Sequence, residues 1–218
     1  MFLLSGISMA DVFEHYAMRL SIHERMVDLL HRRTAKAFAQ LALGITNPRA
    51  NYSAYEHGLG KKILARHGRA ESVLSLGVDL LNCGKASGVP AIIMRHNIPY
   101  LKISVGSEIG MLLRPNDFWV ANVRTVWAYL LVKHAYDFDL ANEELELYRD
   151  GERSSEMNYE IWGELHRLLE TSQIHLHDLG LREARRQGAA VGDKRFLWAD
   201  AIANAIYKRR ESYRLAPA

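Results

Sequence analysis

The stretch from Asn116 to His134, NDFWVANVRTVWAYLLVKH, constrains this chain more than any other. At helical spacing Trp119, Val123, Trp127 and Leu130 fall on one side, and Phe118, Tyr129 and Val132 on the others. A helix that is apolar all round must be surrounded by other elements or by lipid. The segment is short for a membrane span and carries Asn122 and Arg124, so it reads as the central helix of a water-soluble core. The expected architecture is a mainly α, single-domain, bundle-like fold. A chain of 218 residues with 49% hydrophobic and 24% charged content supplies enough apolar surface for that.

Most of the remaining sequence repeats the helical period. From Met9 to Leu43 the chain reads as helix, with a break near residue 20 where Ser21-Ile-His-Glu24 has the form of a capping box. Beyond it, Met26, Val27, Leu30, Ala37, Phe38 and Leu41 make one apolar stripe, ended by Gly44 and the following NPRANY. Ser53-Ala-Tyr-Glu56 is a second capping box, opening a basic helix that Gly58 and Gly60 weaken. A third helix ends at Gly84. An acidic helix begins near Asp137. A long helix follows over 154–188, with Ile161, Leu165, Leu168, Ser172, Leu176 and Leu179 in register. The last helix starts near 192 and turns Trp198, Ile202, Ala205 and Ile206 inward. Residues 1–8 are expected to be a disordered tail or a start-site artefact, 9–214 the globular domain, and 215–218 a loose tail.

PAIIMRHNIPYLKISVGSEIG, Pro90 to Gly110, departs from this pattern. Pro90 and Pro99 each disfavour helix at the preceding residue. Ala91–Met94 and Tyr100–Val105 are short and partly β-branched, so a small two-stranded β element is expected near 90–105. The rival reading begins a helix at Pro99, placing Leu101, Val105, Ile109 and Leu112 on one face.

Charge is unevenly spread. Lys and Arg number 16 against 9 Asp and Glu over 1–136, 2 against 10 over 137–164, and 10 against 6 over 165–218. The acidic block is expected to be a solvated helix pair, or to dock on basic surface of this chain or a second copy. Basic residues group as Arg25, Arg32, Arg33 and Lys36; as Lys61, Lys62, Arg66 and Arg69; and in the last third from Arg182 to Arg214. Arg25, Arg32, Lys36, Lys61, Lys62 and Arg66 are the candidates for nucleic-acid contact, which requires several cations on one face. EHGLGKK lacks the spacing and the Ser/Thr of a phosphate-binding loop. The single cysteine, Cys83, excludes an internal disulfide and suits a reducing compartment such as the cytoplasm. Its place at a helix C-terminus suits a packed, inert thiol.

Histidine is abundant, at 10 residues. In HLHD, however, His175 and His177 diverge by about 160° on a helix. His177 falls with His166 and Glu170 opposite the apolar stripe. Glu24, Asp28 and His31 share a face, but the paired Glu-x-x-His repeats of a helical di-iron site are lacking. No metal and no cofactor are expected. Arg124, inside the apolar helix, needs a partner, with Glu108 or the acidic block as candidates. Asp117 reads as a helix cap.

If 100–105 is a strand, Val105-Gly106-Ser107-Glu108 is a strand-to-helix turn. Its amides, with Arg95, Lys102, Gly106 and Ser107, would then surround an anion, and His96 is the candidate acid/base. Three functions follow. The leading one is a non-enzymatic binding protein that engages nucleic acid or an acidic protein partner, as a homo-oligomer and away from membranes. The second is an enzyme acting on a small anionic or phosphorylated substrate at residues 95–108. The third is a structural or regulatory module for protein contact.

Overall fold

The computed structural model describes residues 3–148 and 159–215, with side chains over 3–148 and 163–210. Among these residues the chain forms eleven α-helices and no strand. They are α1 (Met9–His31), α2 (Ala35–Ala42), α3 (Tyr52–Glu56), α4 (Leu59–Leu64), α5 (Arg69–Leu81), α6 (Val89–His96), α7 (Ile103–Leu113), α8 (Val123–Lys133), α9 (Phe138–Leu147), α10 (Tyr159–Gln187) and α11 (Arg195–Leu215). Short 3₁₀ turns occupy Pro48–Ala50 and Ala86–Gly88. One contiguous set of buried side chains runs from Leu3 to Ile206. No helix among the described residues is long and apolar enough to cross a membrane.

The centre is shared by three helices. All residues of α7 from Val105 to Leu113 are buried, as are those of α11 from Phe196 to Asn204. α11 packs against α1, α7, α8 and α10. α8 belongs to this centre but begins at Val123, seven residues later than Asn116. The Asn122 side chain accepts from the amides of Arg124 and Thr125, and the Thr125 hydroxyl accepts from the amide of Asn122. This capping box fixes the start, so Asn122 is extended and the turn at 115–117 lies outside the helix.

The expected β element is absent among the described residues. Pro90 lies in the first turn of α6, where its fixed φ suits a helix and no amide is needed. α6 ends at Asn97, which adopts a left-handed conformation (φ 45°, ψ 43°). The restriction imposed by Pro99 therefore acts outside the helix, as a stop. α7 starts at Ile103, later than the rival reading placed it, because Tyr100 has φ 65°.

Other breaks also move. α1 continues through Ser21-Glu24, because Met9, Val12, Tyr16, Arg19, Ile22, Met26 and Leu30 make one uninterrupted buried stripe. It stops at Arg33, which takes a positive φ of 52°. The Thr34 amide donates to the Leu29 carbonyl at 3.1 Å and the Arg33 amide to Leu30 at 3.0 Å. This is a Schellman closure on an arginine where glycine is usual. Arg25 consequently sits on α1, Arg32 is its C-cap and Lys36 sits on α2. The Ser53 box is replaced by Asn51, whose side chain accepts from Ala54 at 2.9 Å and caps α3. Leu168 of α10 is 48% exposed and Leu169 is buried in its stead. Ile161 lies outside the described side chains.

Two helix ends are tied to distant chain. The Tyr16 hydroxyl donates to Asp193 at 2.6 Å and accepts from the amides of Asp193 and Lys194 at 3.2 Å each. The Arg195 amide donates to the Asn116 side chain at 3.0 Å, and the Phe196 amide to the Pro115 carbonyl at 2.8 Å. At the end of α10, Gln187 accepts from the Met9 amide and donates to the Ile7 carbonyl, both at 2.9 Å. Leu3, Leu4 and Ile7 are buried, and Arg209 donates to the carbonyl of Ser5 at 2.7 Å, so residues 3–7 are packed against the domain.

Gly60 marks a close approach to backbone. A Cβ at Gly60 of α4 would lie 2.6 Å from the Leu43 carbonyl oxygen, whereas one at Gly163 of α10 would meet nothing. Gly60→Ala is expected to lower stability by about 1–3 kcal/mol through overpacking against backbone. Gly163→Ala is expected to raise it by up to about 1 kcal/mol through helix propensity. Urea unfolding of the two variants checks the opposite signs.

Candidate anion site above a buried ion network

The buried stripe of α1 contains two polar residues, His15 and Arg19. Arg19 is completely buried and must therefore be paired. Its Nη1 donates to Glu108 Oε1 of α7 at 2.7 Å and to the Arg49 carbonyl at 2.7 Å. Its Nη2 lies 3.3 Å from Asp200 Oδ2 of α11, out of hydrogen-bond alignment. Glu108 is also fully buried and accepts from the amides of Tyr52 and Ser53 at 3.2 and 3.4 Å. One cation thus joins α1, α7, α11 and the start of α3. Burial opposes the Arg19 charge, but Asp200 and Glu108 outweigh it and raise its pKa. Burial pushes the Asp200 carboxyl up, against the pull of Arg19.

A second layer lies toward solvent. Tyr52 is half-buried between two guanidinium groups, with Arg19 5.2 Å and Arg124 4.4 Å from its ring centroid. Arg124, from the first turn of α8, pairs with Glu56 of α3. The His15 ring stacks on Tyr52 at 5.9 Å, and its Nδ1 is 3.5 Å from the Tyr52 hydroxyl. Burial, then Arg19, Lys208, Arg49 and Arg124, hold the His15 pKa down at about 3. His15 is therefore a neutral imidazole near pH 7, with cations from four elements around it. Several buried polar atoms here lack a hydrogen bond: His15 Nε2, Arg19 Nε and Nη2, Asp200 Oδ2 and Asn122 Nδ2. The outer edge is solvent-exposed at Arg49, Glu56 and Lys208. Among the described residues neither Arg49 nor Lys208 has a carboxylate partner.

The residues singled out from sequence lie elsewhere. Arg95 and His96, in the last turn of α6, both contact Asp79 Oδ2 at 2.9 Å, and these bonds, His96 first, lower the Asp79 pKa. Gly106 is inside α7, its amide bonded to the Lys102 carbonyl at 2.8 Å, and a Cβ there would strike Ile93 of α6 at 2.7 Å. Ser107 is buried and its Oγ accepts from the Ala121 amide at 2.9 Å. Without a strand before them, Gly106 and Ser107 form no open turn. Lys102 is the half-buried N-cap of α7.

Arg25, Arg32, Lys36, Lys61, Lys62 and Arg66 are all exposed, and Arg32 pairs with Asp28 at 2.8 Å. Arg182, Arg185 and Arg186 flank the α10 end that holds Met9, one α1 length (about 34 Å) from Arg32. Arg32 and the group at Arg182, Arg185 and Arg186 thus lie at opposite ends of α1. Asp117 pairs with Arg114 at 2.9 Å instead of capping α8. His166 is buried against Trp119, with rings 4.9 Å apart, and burial lowers its pKa to about 4. Cys83 is buried, its thiol donating to the Lys85 carbonyl at 3.0 Å. Among the described residues no three His, Cys, Asp or Glu are grouped to hold a metal.

Of the site, the sequence pointed to Arg124, Asn122 and Glu108, but the partner of Arg124 is Glu56, not Glu108 or the acidic block. Arg19, Glu108 and Asp200 had a shared signal: each is a lone charge inside an apolar helical run. Comparison with protein-family models, curated proteins and solved structures finds no match, so the fold and this site carry the functional reading.

Arg19→Met strands two buried carboxylates and is expected to cost about 3–5 kcal/mol in urea unfolding. The triple variant Arg19→Met/Glu108→Leu/Asp200→Leu is expected to recover most of that loss. The two lowered histidines set a pH dependence. Their unfolded forms, near 6.5, bind protons that the folded forms refuse until about 3 and 4. The stability they contribute is complete above pH 6.5 and falls as pH drops. Between about pH 6 and 5 the wild type should lose up to about 1.4 kcal/mol per unit from each histidine. His15→Asn/His166→Gln should flatten that slope in urea titrations.

Proposed function

We infer that the protein binds a small, multiply charged anion of the phosphate class where α1, α3, α8 and α11 meet. What supports this is that Arg19 and Arg124 flank the Tyr52 ring that stacks on His15, and that the charges of Arg19, Lys208, Arg49 and Arg124, from four separate elements, all act to keep His15 neutral. Arg19 is neutralised by Glu108 and Asp200, and Arg124 by Glu56. Arg49 and Lys208 remain as uncompensated charges at the exposed edge. Arg124 supplies bidentate donors to any anion that displaces Glu56, and phosphate geometry matches a guanidinium fork. The Tyr52 hydroxyl and His15 Nε2 add neutral hydrogen-bonding groups. This reading keeps the ligand chemistry expected at residues 95–108 and moves it to another place in the fold.

A second reading is favoured by one observation. Arg25, Arg33, Lys36, Lys61, Lys62 and Arg66 are exposed and have no carboxylate partner among the described residues. They suit sequence-independent contact with a polyanion such as nucleic acid, whose affinity falls steeply with salt.

Isothermal titration with pyrophosphate and inorganic phosphate tests the first reading. Arg49→Ala/Lys208→Ala is expected to weaken binding by about tenfold or more. Glu56→Gln, which frees Arg124, is expected to tighten it several-fold. An absence of binding, or unchanged affinity in the double variant, overturns the assignment. Binding that vanishes only with Lys61→Ala/Lys62→Ala/Arg66→Ala favours the polyanion surface.

A further inference from the structure

A pocket of about 340 Å³ lies between the 82–88 connection, the 114–119 turn and α10, and shares no residue with the cluster around His15. Phe118 and Trp119 lie beneath it, but they are 1% and 2% exposed. The Arg114 guanidinium covers Phe118, 4.6 Å from its ring centroid, and Trp119 is enclosed by His166 and Phe196. What solvent reaches is therefore mainly polar. Lys85, Ser87, Asp117, Arg167 and Glu170 are exposed, and Arg114 is half-buried.

The backbone that carries these groups is fixed. Arg114 donates to the carbonyls of Leu81 and Cys83. The Cys83 thiol and the Gly88 amide both donate to the Lys85 carbonyl, at 3.0 and 2.9 Å. On the facing side, Trp119 Nε1 donates to the His166 carbonyl at 2.6 Å, which holds α10 beside Arg167. The charged ends divide into two sets. Arg114 and Asp117 pair with each other at 2.9 Å and cancel. Lys85, Arg167 and Glu170 have no oppositely charged partner among the described residues, although Arg167 and Glu170 are one turn apart on α10. Two free cations and one free carboxylate thus share one polar cavity. Its volume is within the range of small-molecule sites, about 300–1,000 Å³.

We propose that this pocket binds a dicarboxylic α-amino acid, a small zwitterion with one net negative charge. Its two carboxylates meet Lys85 and Arg167, and its ammonium meets Glu170. The Ser87 hydroxyl adds a neutral donor at the same rim. A plain dicarboxylate sets a like charge against Glu170, and a basic amino acid sets like charges against Lys85 and Arg167, so both are disfavoured. The ligand class differs from that of the His15 cluster, and neither site depends on the other.

L-Glutamate is the probe, titrated into the full chain while backbone amides are followed by NMR. Glutarate, which lacks the ammonium, is the control. Saturable shifts at Lys85, Ser87 and Glu170 are expected with glutamate, and glutarate should bind at least about tenfold more weakly. Lys85→Ala/Arg167→Ala, at exposed positions where folding is not at risk, should weaken glutamate by a similar factor. Glu170→Gln should weaken glutamate and tighten glutarate, erasing the preference between them. No shift at these amides, equal binding of the two ligands, full affinity in the Lys85/Arg167 variant, or an unchanged preference in Glu170→Gln overturns the proposal. So does affinity lost in Arg49→Ala/Lys208→Ala, which would place the ligand at the cluster around His15.

Discussion

A guanidinium held between two carboxylates in the middle of the core sets the arrangement of the other helices. Arg19, Glu108 and Asp200 belong to α1, α7 and α11, and each is at most 2% exposed. Apolar side chains alone allow neighbouring helices to slide with modest loss, because one methyl group replaces another. Here a slip of one helical turn, about 5.4 Å, would separate charges that have no water to fall back on. An unpaired buried charge costs several kcal/mol, so the network fixes register as apolar packing does not. Glu108 extends the effect to the Asn51–Ser53 segment by accepting its amides. Asn51 reinforces the joint, donating to the carbonyls of Ala42 and Val105 at 3.1 and 3.0 Å.

The helices were legible because their apolar periodicity is strong; their ends were legible only where glycine or asparagine marked them. Gly44 ends α2 as its sequence implies. Arg33, Ala135 and Tyr136 also take positive φ without any compositional sign. Tertiary contacts around each turn overrule the local preference there. Pro90 misled in the opposite direction. A proline in the first turn of a helix and one that forbids a helix look the same until the cap residue is known. The ion network was visible as three isolated charges in apolar runs. Their mutual pairing was not, because it joins positions 89 or more residues apart, beyond the reach of any local pattern.

The acidic segment illustrates how net charge by region differs from surface charge. Within α9, Glu144 contacts Lys133, His134 and Tyr148, and although burial opposes it, these bonds hold its pKa down at about 2. Glu146 lies 3.8 Å from Arg210 of α11. Part of the acidic block therefore docks on the chain's own basic residues. Among the exposed basic residues, by contrast, Arg32 and the group at Arg182, Arg185 and Arg186 lie at opposite ends of α1. The interior junction around His15 is where cations from distant sequence converge.

The borrowed caps of α11 bear on how the chain acquires this structure. Its first amides are satisfied by Tyr16, Pro115 and Asn116, residues from 79 or more positions upstream. A nascent α11 on its own has four unsatisfied donors at that end and two charged helix partners still to find. Its ordering is therefore coupled to the prior folding of the N-terminal half. The start of the last helix is therefore fully satisfied only against a formed N-terminal half. Such long-range closure slows the final step of folding in an otherwise locally connected helical protein.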